Sequence, residues 1–268
     1  MNRAALRLQA ARWCEKQRPA VVVELRSVQG SVPREAGTRM LVAQDEVIGT
    51  IGGGHLEWMA LHTACELLAG RAPWPAPARV ALGPSLGQCC GGAVELAYEP
   101  LNEDTLMRWP VTPPASHLVL YGAGHVAQAL IQILRGVDLS VDWVDSRDGA
   151  HGSWPDFPGL RCIVTDDPAY EAHHAPAGAH HLVMTHSHAQ DFDIVLALLR
   201  RADTGMVGLI GSKTKRMQFE HRLLTRGLSE GRVAQLVCPV GVAGVHSKAP
   251  AAVAVAVAAQ LLSLPSCG

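Results

Sequence analysis

The chain has 268 residues, 48% of them apolar, which suffices for two modest domains or one large one with a proper core. Its formal net charge is −1, with 23 Lys and Arg set against 24 Asp and Glu and no basic block. Nucleic acid is therefore not expected as the main partner, because neutralising phosphates needs clustered cations.

The opening segment MNRAALRLQAARWCEKQRP lacks the uncharged apolar run of a secretory signal. It reads as an amphipathic helix with Leu6, Ala10 and Trp13 on one side. AVVVELRSVQG (20–30) is a strand that ends at Gly30, and TRMLVAQDEVIGTIGG holds two strands around a polar turn at Gln44-Asp45. HLEWMALHTACELLAG (55–70) has helical spacing, and RVAL and AVELAYE read as strands on either side of LGQCCGG. The polar, proline-containing stretch NEDTLMRWPVTPPAS is the expected linker, so the expected domains are residues 1–101 and 117–268 with 102–116 between them.

From His117 onward strands and helices alternate, through HLVLYG, HVAQALIQILRG, SVDWVD, RCIVT, HHLVMTH, DIVLALLRRA, MVGLIGS and TKRMQFEHRLLTRG. Such alternation implies parallel strands joined by crossover helices. The expected fold class is α/β: an N-terminal mixed α/β domain with glycine-rich loops, then a C-terminal Rossmann-like domain with a parallel sheet. The apolar tail AAVAVAVAAQLLSL (251–264) is too short to span a bilayer and reads as a buried helix. A cytoplasmic protein without a membrane partner is expected.

Seven cysteines, at 14, 65, 89, 90, 162, 238 and 267, form no paired framework and no CxxC…CxxC zinc ribbon. An odd count in a cytosolic chain points to reduced thiols. A disulfide between the adjacent Cys89 and Cys90 would need a strained link.

Four further features carry chemistry. Gly122-Ala123-Gly124-His125-Val126-Ala127 is a G-x-G-x-x-A turn directly after a strand, and Asp145 ends the next strand. Glycines there let the backbone approach a phosphate, and an acidic residue at that place holds a ribose hydroxyl in dinucleotide-binding folds. The ligand itself is left open by the fold. Thr185-His186-Ser187-His188 closes a strand, so His186 and His188 either line a polar crevice, with one carboxylate fixing a tautomer, or ligate a metal. A metallo-hydrolase of the H-x-H-x-D-H type needs aspartate at 190 and histidine at 191, where this chain has Gln190 and Asp191. His173, His174, His180 and His181 read as surface residues. Lys213, Lys215 and Arg216 open a helix, where three cations oppose the dipole unless an anion sits there; a solvated charged face is the alternative.

The last feature is the set of glycine-rich loops in the first hundred residues: GSVPREAG, GTIGGGH and LGQCCGG. Glycine runs cost conformational entropy, and they suit a backbone that must approach something closely. Three in one small domain suit a flat, polar ligand such as a pterin; tight turns in a compact sheet are the plain alternative.

Together GSVPREAGTRMLV, GTIGGGHLE, LGQCCGG, LVLYGAGHVA, THSHAQDFD, GLIGSKTKR and CPVG with its alanine-rich helix resemble the XdhC/CoxI-type accessory proteins of molybdenum hydroxylases such as xanthine dehydrogenase. The resemblance covers nearly the whole chain. It implies a protein that binds the molybdenum cofactor (molybdopterin), assists its sulfuration by a cysteine desulfurase and delivers it to the apo-enzyme, without turnover of its own. A homodimer is compatible with it. The candidate cofactor-binding residues are Arg34, Arg39, Gly53, Gly54, His55, Cys89, Cys90 and Gly91 in the first domain. In the second they are Gly122, Gly124, His125, Asp145, His186, His188, Lys213 and Arg216. Cys89 or Cys90 would ligate molybdenum, carry a persulfide or line the pocket, since a thiolate is a soft donor; two packed small residues are the alternative. An NAD(P)-dependent oxidoreductase and a metal-dependent hydrolase are the competing functions.

Overall fold

A computed structural model describes residues 2–83, 91–111, 113–152 and 157–264, and the chain divides into two units, Arg3–Thr112 and Pro113–Gly268. The first is built on an antiparallel sheet. Helix α1 (Arg3–Glu15) precedes strand β1 (Ala20–Gln29), followed by β2 (Arg39–Ala43), β3 (Val47–Gly49), helix α2 (Gly54–Leu68), β4 (Ala78–Ala81) and β5 (Ala93–Pro100). The sheet order is β3-β2-β1-β5-β4. Alternation along β1 sends Val21, Val23 and Leu25 to one face, where Leu56, Ala60, Ala64 and Leu67 of α2 cover them. Ala20 and Val22 point the other way, to Leu6, Ala10 and Trp13 of α1.

The stretch expected as a linker starts with helix α3 (Glu103–Arg108). Its signal is local: the Asn102 side chain accepts from the Thr105 N–H at 2.8 Å, and Glu103 and Asp104 occupy the first turn. Trp109 at its end is buried with the α1 cluster.

The second unit is a parallel sheet in the order β11-β10-β9-β6-β7-β8. Its strands are β6 (His117–Tyr121), β7 (Ser140–Asp145), β8 (Leu160–Val164), β9 (His180–Val183), β10 (Val207–Leu209) and β11 (Leu236–Val237). The helices between them are α4 (His125–Leu134), α5 (Pro168–His174), α6 (His188–Arg200), α7 (Lys213–Thr225) and α8 (Glu230–Val233). Helix α9 (Pro250–Leu262) closes the element order. Leu118, Leu120, Val141 and Trp143 pack under α4 and α9, while Val119, Tyr121 and Val183 pack under α6 and α7. This is a doubly wound Rossmann-type sheet, whose strand order reverses between β6 and β9. The alanine-rich tail is buried as expected, with Ala254, Val257 and Ala258 in the core.

Two histidines correct the sequence reading. His180 and His181 lie in β9 and are 8% and 0% exposed, not on the surface. Strand β9 is paired on both sides, with β6 and β10, and helices cover both faces of the sheet.

Candidate functional site

The three glycine-rich loops of the first unit meet at one place. The loop after β1 runs through Gly30, Ser31, Val32 and Pro33. Gly92, just before β5, lies so close to it that a β-carbon there would be 2.5 Å from the carbonyl oxygens of Gln29 and Ser31. Gly52 has φ +126°, and a β-carbon on it would sit 2.5 Å from Cγ of Pro33. Only glycine allows this approach. Gly53 and Gly91 differ, since a β-carbon at either would meet nothing within 4 Å. Among the described residues nothing fills the space where their side chains would stand. Cys89 and Cys90 lie outside the described residues.

The loop before α2 is held by the chain's own carboxylate. Glu57 accepts from the N–H groups of Ile51 at 3.0 Å and Gly53 at 3.1 Å, and from the Thr50 hydroxyl. Gly54 is the first residue of α2, with φ +64°. Gly53 caps the helix without a side-chain hydrogen bond. His55 is exposed and stacks on Trp58, which stacks in turn on His62, with ring centroids 5.3 and 5.9 Å apart. Arg34 is exposed near Gly52. Arg39 lies in β2 at the edge of these loops: it pairs with Glu24 across the strands at 2.5 Å and donates to the Gly37 carbonyl at 3.5 Å.

In the second unit, the candidate residues gather at the carboxyl ends of the central strands. Gly122 has φ +104°, and a β-carbon there would be 2.7 Å from the Met184 carbonyl carbon and 3.0 Å from Cα of Thr185. It is a packing glycine that lets the ends of β6 and β9 touch. Gly124 has open space around it and caps α4, and His125 next to it is exposed.

Asp145 is buried and its acceptors are occupied. Oδ2 accepts from the Ala123 N–H at 2.7 Å and from Arg147 Nη2 at 2.9 Å; Oδ1 accepts from the N–H and Nε of Arg147, both at 2.9 Å. Four bonds fill the lone-pair sites of a carboxylate. Burial pushes the Asp145 pKa up, but the Arg147 and Ala123 donors outweigh it and leave the group below its ordinary value. The acid expected to hold a ribose hydroxyl thus holds its own chain.

The cations after β10 find an internal anion. Asp191 is 0% exposed; its Oδ2 accepts from Lys215 Nζ at 2.6 Å, and its Oδ1 from the Thr185 hydroxyl at 2.7 Å and the Thr185 N–H at 3.0 Å. Lys215 also donates to the Ile210 carbonyl at 3.0 Å. Arg216 pairs with Glu220 at 2.5 Å and bonds the Leu236 carbonyl. Lys213 is exposed. The clash with the helix dipole is therefore relieved for two of the three cations without a ligand. Asp191 braces Thr185 and Lys215 and does not fix a histidine tautomer. His186 and His188 are exposed, on either side of Ser187, whose side chain caps α6.

Sequence reasoning noted Lys215 among the three cations without placing it in the candidate site, and passed over Cys238. The half-buried Cys238 sits beyond β11 with its Sγ 4.0 Å from the Ser212 carbonyl oxygen, and burial pushes its thiol up while Lys215 and Arg216 pull the other way. The available signal was Gly211: a β-carbon there would be 2.7 Å from Cδ of Lys215, so the glycine makes room for that side chain. Among the described residues no group of three or more His, Cys, Asp or Glu side chains is placed to hold a metal ion. No helix among them is long and apolar enough to cross a membrane.

Comparison with known proteins places these features. Residues 118–261 match the family described as the XdhC Rossmann domain, and residues 13–74 match the XdhC and CoxI family. The uncharacterized protein YqeB of Escherichia coli (strain K12) is 26% identical over 260 residues, 96% of this chain and 45% of its own length. The chain thus spans less than half of that relative. The crystal structure of a xanthine dehydrogenase (BH1974) from Bacillus halodurans shares the fold, with a TM-score of 0.73 at 20% identity over 98% of this chain and 95% of that one. With the Rossmann-domain match alone running over more than half of its length, this chain belongs to the XdhC family.

Proposed function

We propose that the protein is a maturation factor for a xanthine dehydrogenase-type molybdenum hydroxylase. It binds the molybdenum cofactor, supports its sulfuration together with a cysteine desulfurase, and hands it to the apo-enzyme. It is a binding and delivery protein rather than a catalyst with its own turnover. Family membership supports the maturation role.

The observation that carries cofactor binding is the convergence of Gly30–Pro33, Gly52–Gly53 and Gly91–Gly92. The donor set fits the group. The space at Gly53 and Gly91 admits a flat ring system, and the first N–H groups of α2 beyond the Gly53 amide that Glu57 takes are offered to the cofactor's phosphate. Exposed Arg34 adds a cation beside that loop. Cys89 and Cys90, directly before Gly91 in the sequence, supply soft donors. When bound, the cofactor brings a molybdenum centre with a replaceable terminal ligand. The NAD(P) reading draws no support from Asp145, whose acceptor sites Ala123 and Arg147 already fill.

Equilibrium dialysis of the purified protein against extracted cofactor tests the reading. Saturable, stoichiometric retention is expected. Retention no greater than that of an unrelated protein overturns it.

A further inference from the structure

One face of the N-terminal sheet carries a second feature, reaching the Gly37 end of the loop after β1 through Arg39. Where the cover of α1 and α3 ends, the inward side chains change from apolar to charged. Glu24 and Arg26 follow Val22 on the same face of β1, and Arg39 of β2 pairs in register with Glu24. Glu99 of β5 and Arg108 and Trp109 at the end of α3 complete the walls of a cavity of about 210 Å³. That is the space of about seven waters.

Its charges do not balance. Arg39 Nη2 donates to Glu24 at 2.5 Å; Arg26 and Arg108 each donate at 2.7 Å to a different oxygen of Glu99. Three guanidinium groups thus face two carboxylates among the described residues of the lining. The Arg39 side chain is 14% exposed, and its guanidinium lies over the Trp109 ring, 4.9 Å from the centroid. Desolvation pulls the Arg39 pKa below its ordinary value, with Glu24 and Glu99 opposing. The unmatched charge lies on Arg26 and Arg108, which share Glu99 and are 43% and 63% exposed, so it is partly solvated and open to an incoming anion. Guanidinium groups match the planar fork of a carboxylate. Val22, Ala97 and the Trp109 indole give the same cavity an apolar wall.

We infer that this cavity binds a small organic monocarboxylate, with its carboxylate set among Arg26, Arg39 and Arg108 and its apolar body against Trp109. The cavity's single excess positive charge matches one carboxylate, and its size matches a one-ring acid. The site adjoins the GSVPREAG loop through the Arg39–Gly37 hydrogen bond but stands whether or not the loops hold a molybdenum cofactor.

Benzoate and benzamidine, the same ring with opposite charges, make the test by isothermal titration at low ionic strength. Benzoate is expected to give saturable heat and benzamidine none. Arg26→Gln and Arg108→Gln alter side chains that are 43% and 63% exposed, so thermal melts should confirm an intact fold. Each should weaken benzoate about tenfold, the equivalent of roughly 1.4 kcal/mol, and the double variant should abolish it. No saturable benzoate heat overturns the proposal. So do benzoate affinity unchanged in the double variant, equal binding of benzamidine, and tighter binding of sulfate than of benzoate.

Discussion

Gly122 and Met184 are in backbone contact: a β-carbon at Gly122 would lie 2.7 Å from the Met184 carbonyl carbon, and the Gly122 φ of +104° is one that side-chain-bearing residues rarely adopt. The first glycine of the Rossmann turn is therefore needed by the fold. Gly122→Ala should cost about 3 kcal/mol or more. Gly124→Ala, with open space and φ −80°, should cost no more than about 1 kcal/mol. Urea titration of both variants checks this, and equal costs would contradict it.

The Asp191–Lys215 pair is buried, so the two partners should behave as a unit. Lys215→Met leaves a fully buried carboxylate without its cation and should cost about 3–5 kcal/mol. Adding Asp191→Asn removes the charge while its side-chain oxygen still accepts from Thr185, and should recover most of that loss. A double-mutant cycle reads the coupling. Additive costs would show that the pair is not coupled.

His181 makes stability depend on pH. Its Nε2 is buried without a hydrogen-bond partner among the described residues, and its Nδ1 lies 3.4 Å from the Tyr121 hydroxyl. Burial first, then the positive charge of Arg201, lowers its pKa from 6.5 to about 3. Between those values the unfolded chain binds a proton that the folded chain refuses. Stability therefore falls as pH drops below 6.5, by about 1.4 kcal/mol per pH unit, until the folded group titrates near 3. Chemical denaturation at pH 7 and pH 5 should show wild type losing roughly 2 kcal/mol more than His181→Phe. Parallel losses would contradict the assignment.

Glu57 keeps the GTIGGGH loop in shape. Glu57→Ala should free the Ile51 and Gly53 amides and lower stability by about 1–3 kcal/mol. Hydrogen exchange at these two amides is the direct readout; unchanged protection would mean that the loop is held by its packing on Pro33 alone.

Strands and helices were legible where one physical signal sufficed. The apolar run in AVVVEL gave β1, the buried face of α1 followed from apolar residues at helical spacing, and the buried α9 from an apolar tail too short to span a bilayer. Helix α3 was hidden by the prolines that follow it, although Asn102, Glu103 and Asp104 spell a helix start. His180 and His181 looked like surface residues because their polarity says nothing of the strands on either side. The pairing of Asp191 with Lys215 joins residues 24 apart, and only the sheet brings them together. Asp145 and Arg147 were close enough in sequence to suggest a pair, but the ribose-binding role of that acid in related folds hid it. The glycine loops were legible as loops; that Gly52 and Gly92 pack while Gly53 and Gly91 stay open required the structure.

If the glycine loops and the cysteines before Gly91 hold the molybdenum cofactor, the protein should carry it out of the cell on purification. The most direct test is molybdenum and pterin content of protein purified anaerobically from molybdate-supplied cells, compared between wild type and the Cys89→Ala/Cys90→Ala double variant. Wild type should carry molybdenum and pterin in equal amounts. In the variant both should fall at least tenfold while the melting temperature stays within a few degrees, since alanine keeps the small size of cysteine. Wild-type protein that carries neither, or a double variant that retains both, would contradict cofactor binding at these residues.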